Sequence, residues 1–594
     1  MKKVKFIVGL PVLAASLLFA ACEPITVTNN PITYGDGYCP LSTDKAMYKP
    51  GEEVRFNMDR NIDGQDGVMV RYKHLDEVLF EEQFNGAGSW TWTPPAEDKR
   101  GYMVDLHKVI DGKDSVFYSI AVDVSSDPKF YPRNGFLSAF EAMPQSDIKS
   151  VMSHLNRYHI NYVQFQDWHY KHHMPLAGSP SAPMQTWTDI CSRTNSKSTV
   201  DSYISLAHEY GMVTLFYNLA YGALDDAATD GVADEWYVFT DRNHTTKDVH
   251  ELGAPFKSSI YLLDPSNPEW QEYLGDRNDD VYEVFAFDGY QIDQLGGRGT
   301  RYNYDGGEVK VDETFKGFVE YMKSRRPDKR LVMNAVGQYG QENSISKTDV
   351  DFLYTEVWGS REGDTGNPGF TALSDVITQN DSWGGGKETV LAAYMNYDYG
   401  KLGNSTFNTP GVLMAMSAIY AWGGSILNMG EHMLCNEYFP NSNLSMTGEL
   451  KQAVIRYYDF LTAYENPLRD AGDWIGVDAV SAANVVSFNQ WPPQLGNIAT
   501  LGKRMGGVEY VHFLNYSGAS HLNWRDSDAN QTAPTRYEDL QVQITVNGTV
   551  RDVWCATPDA DSGVSRKLEF LQNGNQITVT IPVIQYWTMV AIEY

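Results

Sequence analysis

The chain has 594 residues, with 76 acidic against 47 basic side chains, a formal charge of −29, and 13% aromatic residues that include 37 Tyr and 14 Trp. Its length exceeds what one hydrophobic core organises and calls for about three or four domains. Its charge excludes nucleic acid, heparin-like polyanions and anionic membrane surfaces as partners and favours a neutral substrate; the aromatic excess suits ring faces that stack on sugars and suits β-sandwich cores equally well.

Residues 1–21 read as a secretory signal: a basic start, an apolar run too short for a membrane span, then small residues. The sequence FAAC (19–22) resembles a lipobox with Phe19 where Leu is commoner, so Cys22 is expected to be lipidated. The expectation is an exported bacterial lipoprotein of the outer membrane, at the cell surface or on the periplasmic face, touching membrane only through its lipid. Residues 22–37 form a polar tether. Cys39, Cys191, Cys435 and Cys555 are scattered without C-x-x-C spacing, which predicts free thiols rather than a zinc site or a disulfide framework.

Over 38–128 short alternating runs such as EEVRFNM and VFYSIAVDV, separated by Gly, Asp and Pro, predict a small immunoglobulin-like β-sandwich. Over 129–470 the grammar becomes strand, loop, amphipathic helix. Eight candidate strands (GFLSAF, INYVQFQDW, MVTLFYNLAYG, GYQIDQLG, RLVMNAVG, DFLYTEVWG, TVLAAYMNYDYG, GSILNMGEH) alternate with helical patterns such as DIKSVMSHLNRYH and TFKGFVEYMKSRRP. That count predicts a (β/α)8 TIM barrel. The short-strand pattern returns over 471–594, predicting a C-terminal β-sandwich and completing a multidomain fold.

Active sites of such barrels lie at the carboxyl ends of the strands. The polar residues expected there are Asp167, Asn218, Asp293, Asn334, Glu356, Asp398 and Glu431. Carboxylates dominate, with no Ser-His-Asp order and no metal-ligand spacing, and two carboxylates across an aromatic groove are what glycosidic bond cleavage needs. In FDGYQIDQLG (287–296), Asp288 and Asp293 are five positions apart, so they face opposite sides of one strand. Asp293, at the carboxyl end, is the candidate for chemistry and Asp288 is read as structural.

Asp293 and Glu356, on the fourth and sixth strands, make the best pair, because alternate strands share a layer of inward side chains. A lone Asp at a strand end is ordinarily a cap or loop brace; the coincidence of several carboxylates reverses that reading. Trp358 is expected to desolvate Glu356 and raise its pKa as a general acid requires, while Asp293, near Gln291 and Gln294, stays ionised. Asp167, Trp168 and His172 are candidate sugar contacts. Adjacent His172 and His173 do not suit one ion, and neither metal nor cofactor is indicated. DPSNPEW (264–270) reads as a helix cap, and GGRG (296–299) lacks a phosphate-loop pattern.

FQDWHYKHHMP, FDGYQIDQLG and LYTEVWG, in that order, resemble glycoside hydrolase family 66, which comprises endo-dextranases and cycloisomaltooligosaccharide glucanotransferases. The resemblance implies retaining attack on α-1,6-linked glucan, with dextran and isomaltooligosaccharides as partners. It also implies Asp293 as nucleophile, Glu356 as acid/base and Asp167 as a contact of the innermost sugar. Substrate contacts are further expected from Trp168, His172, Asn218, Gln291, Asn334, Trp358, Asp398 and Glu431. The sequence departs from the family pattern at Ile292, where Gly is expected, and at Lys171, where Arg is usual. No segment is long enough for the carbohydrate-binding insertion of the cyclising branch, which favours an endo-dextranase over a cyclising transglycosylase; a non-catalytic glycan-binding lipoprotein is the third alternative.

Overall fold

The structure, a computed structural model, describes residues 40–62, 66–359 and 368–594. The expected signal, tether and Cys22, together with Cys39, lie outside them. Cys191, Cys435 and Cys555 are free and buried.

The central sheet has eight parallel strands in sequence order: β1 (Asn134–Leu137), β2 (Tyr162–Phe165), β3 (Val213–Leu219), β4 (Gly289–Asp293), β5 (Arg330–Val336), β6 (Leu353–Glu356), β7 (Thr389–Ala392) and β8 (Ser425–Ile426). The Phe136 amide donates to the Met429 carbonyl just past β8, at 3.0 Å, and brings the last strand against the first. The strands are buried on both faces, β3 at every position, as expected when helices cover a parallel sheet. Helix α1 (Gln145–Arg157) shows the matching pattern, burying Ile148, Val151, Met152 and Leu155 at three- and four-residue steps.

Helices α2 (Lys197–Glu209), α3 (Pro268–Val284) and α4 (Val311–Arg325) follow β2, β3 and β4. Asn267 caps α3, accepting from the amides of Glu269 and Trp270 ahead of Pro268, as DPSNPEW suggested. The expected run of eight strand–helix units breaks once. Between β5 and β6 there is only a 3-10 turn, Ile345–Lys347. Gly337, Gln338 and Gly340 there take φ of 54°, 69° and 76°, a left-handed path that no α-helix follows. The series resumes with α5 (Thr371–Gly384), α6 (Thr409–Ala421), α7 (Gly448–Ala463) and the short α8 (Glu465–Arg469).

Antiparallel sheets flank the barrel. A three-stranded and a four-stranded sheet over Leu41–Val124 enclose one apolar core, and a seven-stranded and a four-stranded sheet over Asp473–Glu593 enclose another. Both flanks are fused to the barrel. Met103 and Ala121 from the first and Trp554 and Trp587 from the last belong to the barrel's own core cluster. At the N-terminal seam Asp459 of α7 receives Arg157 and His159 at 2.8 Å each and the Ala121 amide at 3.1 Å. This completely buried carboxylate is held below its usual range: burial pushes it up, but Arg157 and His159 outweigh that.

Candidate active site

A cavity of about 320 Å³ opens at the carboxyl ends of the central strands, and both Asp293 and Glu356 line it. Alternation on β4 places Gln291 and Asp293 in the cavity, while Tyr290 points outward and stacks on Phe216 at 4.9 Å. Asp288 lies on the outer side, bonded to the Thr214 amide at 2.8 Å and to His208 of α2 at 2.9 Å. The parity reading of the two aspartates therefore describes their surroundings correctly.

Register then assembles the site. Ile292 pairs with Met333, so the next residues, Asp293 and Asn334, stand side by side; Val336 pairs with Glu356. The Asn334 Nδ2 group donates to Asp293 Oδ1 at 2.8 Å and to Glu356 Oε2 at 3.2 Å. One amide nitrogen thus touches both carboxylates, which caps the separation of those two oxygens at about 6 Å. Asp293 also accepts from the Tyr217 hydroxyl at 2.7 Å and the Gln294 amide at 2.8 Å. Glu356 accepts from the Tyr394 hydroxyl at 2.5 Å.

These surroundings separate the two acids. Burial, then the charge of Asp293, pushes the Glu356 carboxyl up to about 7, against the opposing pull of Tyr394 and Asn334. Burial also raises Asp293, but three donors (Tyr217, Asn334 and the Gln294 amide) favour its anion. The Gln294 contribution comes from its backbone and not from its side chain. Trp358 lines the cavity and packs on Tyr394 with ring centres 5.5 Å apart, so it helps exclude water beside Glu356 as expected. Arg525, from a loop of the C-terminal region, lies over Trp358 at 4.9 Å and donates to the Val357 carbonyl at 2.8 Å. No periodicity announced that contribution.

Asp167 and His172 also line the cavity. Asp167 takes φ 51°, a strained turn for a residue with a side chain, and burial pushes its carboxyl up to about 7. Four expected contacts fall elsewhere. Trp168 is 1% exposed, its ring edge-on to Phe285 at 5.2 Å and tilted against Phe287 at 5.1 Å, so it is core and offers no face to a sugar. Asn218 is wholly buried and holds the loop after β2 by donating to the His172 carbonyl at 2.8 Å. Asp398 accepts from Ser527 at 2.5 Å in the seam with the C-terminal region. Glu431 accepts the amides of Ser138 and Ala139 at 2.6 and 2.9 Å, a brace for the loop after β1.

His172 and His173 face different partners, Asn218 at 3.2 Å and Asp230 at 2.9 Å. Among the described residues, His173, Asp226 and Asp230 are the one group spaced for a cation, and the Lys171 ammonium already sits between the two aspartates at 2.6 Å from each. Arg298 and Arg301, around GGRG, are both engaged by Asp248.

Comparison with known proteins adds the lineage. The family described as Glycosyl hydrolase family 66 matches residues 43–591. A cycloisomaltooligosaccharide glucanotransferase of Niallia circulans is 24% identical over 98% of this chain and 75% of its own length. A dextranase of Streptococcus salivarius is 23% identical over 83% of this chain and 67% of its own length. The crystal structure of a Paenibacillus sp. cycloisomaltooligosaccharide glucanotransferase complexed with cycloisomaltoheptaose matches with a TM-score of 0.83 at 24% identity, covering 93% of this chain and 99% of that one, a likeness of fold.

Proposed function

Since the chain belongs to glycosyl hydrolase family 66, we propose that it is a retaining endo-dextranase that cleaves α-1,6-glucosidic linkages to release isomaltooligosaccharides. The observation that carries this reading is the Asn334 amide shared by Asp293 and Glu356. It brings one oxygen of each carboxyl within about 6 Å of the other, which is compatible with the separation of about 5–5.5 Å used by retaining enzymes.

Asp293, favoured as the anion by three donors, attacks the anomeric carbon while the Glu356 carboxylic acid gives its proton to the departing glucosyl oxygen. Tyr394 then supports the new Glu356 carboxylate through its hydroxyl. In the second half Glu356 takes a proton from water, the water attacks the anomeric carbon, and the ester to Asp293 breaks. A sugar hydroxyl in place of that water would give transglycosylation, the reaction named in the glucanotransferase relatives. Hydrolysis is favoured because this sequence offers no segment long enough for the carbohydrate-binding insertion of the cyclising branch.

Incubation with dextran, starch and pullulan, with sizing of the products and NMR of the first-formed anomer, tests the reading. Isomaltooligosaccharides in the α configuration are expected; an initial β product overturns retention, and activity on starch alone overturns the substrate. The location is a separate part of the proposal, supported by FAAC at Cys22: lipidation there anchors an exported enzyme. No helix among the described residues is long and apolar enough to cross a membrane. Cys22→Ser is expected to move the protein out of the membrane fraction, and retention there overturns the anchor.

A further inference from the structure

A cavity larger than the one that holds Asp293 and Glu356 lies elsewhere in the molecule. About 720 Å³ of space lies at the opposite, amino end of the barrel. It is walled by residues ahead of the strands, Tyr131 before β1, Asp351 before β6, Glu388 before β7 and Trp422 before β8, and closed by Trp474 and Lys503 of the C-terminal region. The amino end of such a barrel ordinarily serves stability. A seam of that kind would be packed shut or would pair its buried polar groups.

This one pairs most of its polar groups but is not packed shut. Trp422 and Trp474 stand with ring centres 4.5 Å apart, both partly buried, and Lys503 lies 5.2 Å over Trp474. The Arg469 side chain is 0% exposed; its Nε donates to Glu388 at 2.9 Å and its Nη1 to the Pro132 carbonyl at 3.2 Å, yet its Nη2 meets no protein acceptor. The Trp422 indole nitrogen is likewise buried without an acceptor. Both residues line the cavity, with these two nitrogens themselves covered by protein. The lining carries five cationic and five anionic side chains, so it has no net charge to select an ion. Partly buried indole rings beside ammonium and carboxylate side chains, in a cavity of ligand size without net formal charge, suit a molecule with apolar ring faces and a rim of hydroxyls.

We propose that this cavity is a second saccharide site that holds a short neutral gluco-oligosaccharide on the face of the barrel opposite the catalytic cleft. The inference rests on the α-glucan reading above for the identity of the sugar. Such a site would hold the enzyme on its polymer while the cleft cuts, an avidity effect that needs no contact with the reacting atoms.

Calorimetric titration of isomaltotriose into Glu356→Gln, which binds without cutting, is the test. Two classes of site are expected, reduced to one when Trp474→Ala is added. Asp381→Ala, at the exposed rim, is expected to weaken the second class at least threefold and serves if the Trp474 variant melts early. In the otherwise unaltered enzyme, Trp474→Ala is expected to leave kcat on a short soluble substrate unchanged and to raise KM for long dextran. A single class of site, insensitive to both substitutions, overturns the second site while dextran turnover by the unaltered enzyme leaves the catalytic reading standing. Should dextran not be turned over, that reading fails on its own. Maltotriose and cellotriose then replace isomaltotriose as probes: binding lost with Trp474→Ala supports the site, and no binding of any of the three overturns it.

Discussion

Asp288 and Asp351 at the amino end of the barrel are held differently from Asp293 and Glu356 at its carboxyl end. At the amino end Asp288 meets His208, and Asp351 meets Arg330 at 2.6 Å and the Tyr162 hydroxyl at 2.7 Å. At the carboxyl end, among the described residues, Asp293 and Glu356 make no ion pair and are held by neutral donors: two phenols, a side-chain amide and a backbone amide. A cation fixes a carboxylate in its charged form, whereas a neutral donor positions it and leaves burial free to raise its pKa. Five residues apart, the same side chain is a brace at one end and stands in the cavity, held by neutral donors, at the other.

The largest effects should therefore come from the carboxyl end. Asp293→Ala is expected to abolish turnover of every substrate, because no glucosyl ester can form, a loss on the order of 10⁴-fold or more. Glu356→Ala should recover on substrates whose leaving group needs no proton. Azide sharpens the assignment: attack from the side vacated by Asp293 gives a β-glucosyl azide, and attack on the ester formed in Glu356→Ala gives an α-glucosyl azide. Product NMR showing the reverse would exchange the two roles.

Next in size is the link between neutral donors and acidity. With Glu356 at about 7, kcat/KM should decline as pH rises through that value and the proton donor is lost. Tyr394 donates to the carboxylate form, so Tyr394→Phe removes a stabiliser of the anion and should move this limb to higher pH. A fall in kcat of roughly tenfold is expected, the equivalent of about 1.4 kcal/mol for one hydrogen bond to a charged group. A pH–rate profile whose basic limb stays in place, or moves down, would break the argument that neutral donors tune this acid.

Much of this contrast was legible in the sequence because strands alternate. Parity alone placed Asp288 and Asp293 on opposite faces, and the eight apolar runs located every barrel strand. Alternation does not reach Asp167 and Trp168, which lie past the end of β2: the chain turns at Asp167 with φ 51°, and the cavity took the aspartate while the core took the indole. Asp398 and Glu431 mislead for another reason. Their position after a strand is correct, but whether such a residue faces the cleft or braces a loop depends on partners distant in the chain, Ser527 for one and the Ser138 and Ala139 amides for the other. Tyr217 and Tyr394 pass for ordinary strand aromatics until register sets their hydroxyls against carboxylates. The missing fifth helix was hidden in the opposite way, since Gly337 and Gly340 read as loop without saying that the loop replaces the helix.

The smallest effect tests the amino end. Asp288→Asn keeps an oxygen for the Thr214 amide and removes the charge facing His208. Burial pushes the Asp288 carboxyl up, but His208 and Thr214 together hold it below the usual range; the bond to Asp288 raises His208. A lowered carboxylate contributes stability above its unfolded pKa of about 3.9 and loses it as pH falls through the folded value. A raised histidine contributes in full below its unfolded pKa of about 6.5 and loses that as pH rises through the folded value. The pair is therefore worth most between about pH 4 and 6.5. Both side chains are more than a third exposed, at 36% and 39%, so solvent screens the pair and the variant should lose about 0.5–1 kcal/mol. Urea unfolding at pH 5.5 should show this difference, and at pH 8.5 the two proteins should converge. Activity per folded molecule should be unchanged at both. A well-folded Asp288→Asn protein without turnover would mean that the catalytic carboxylate lies at the other end of β4.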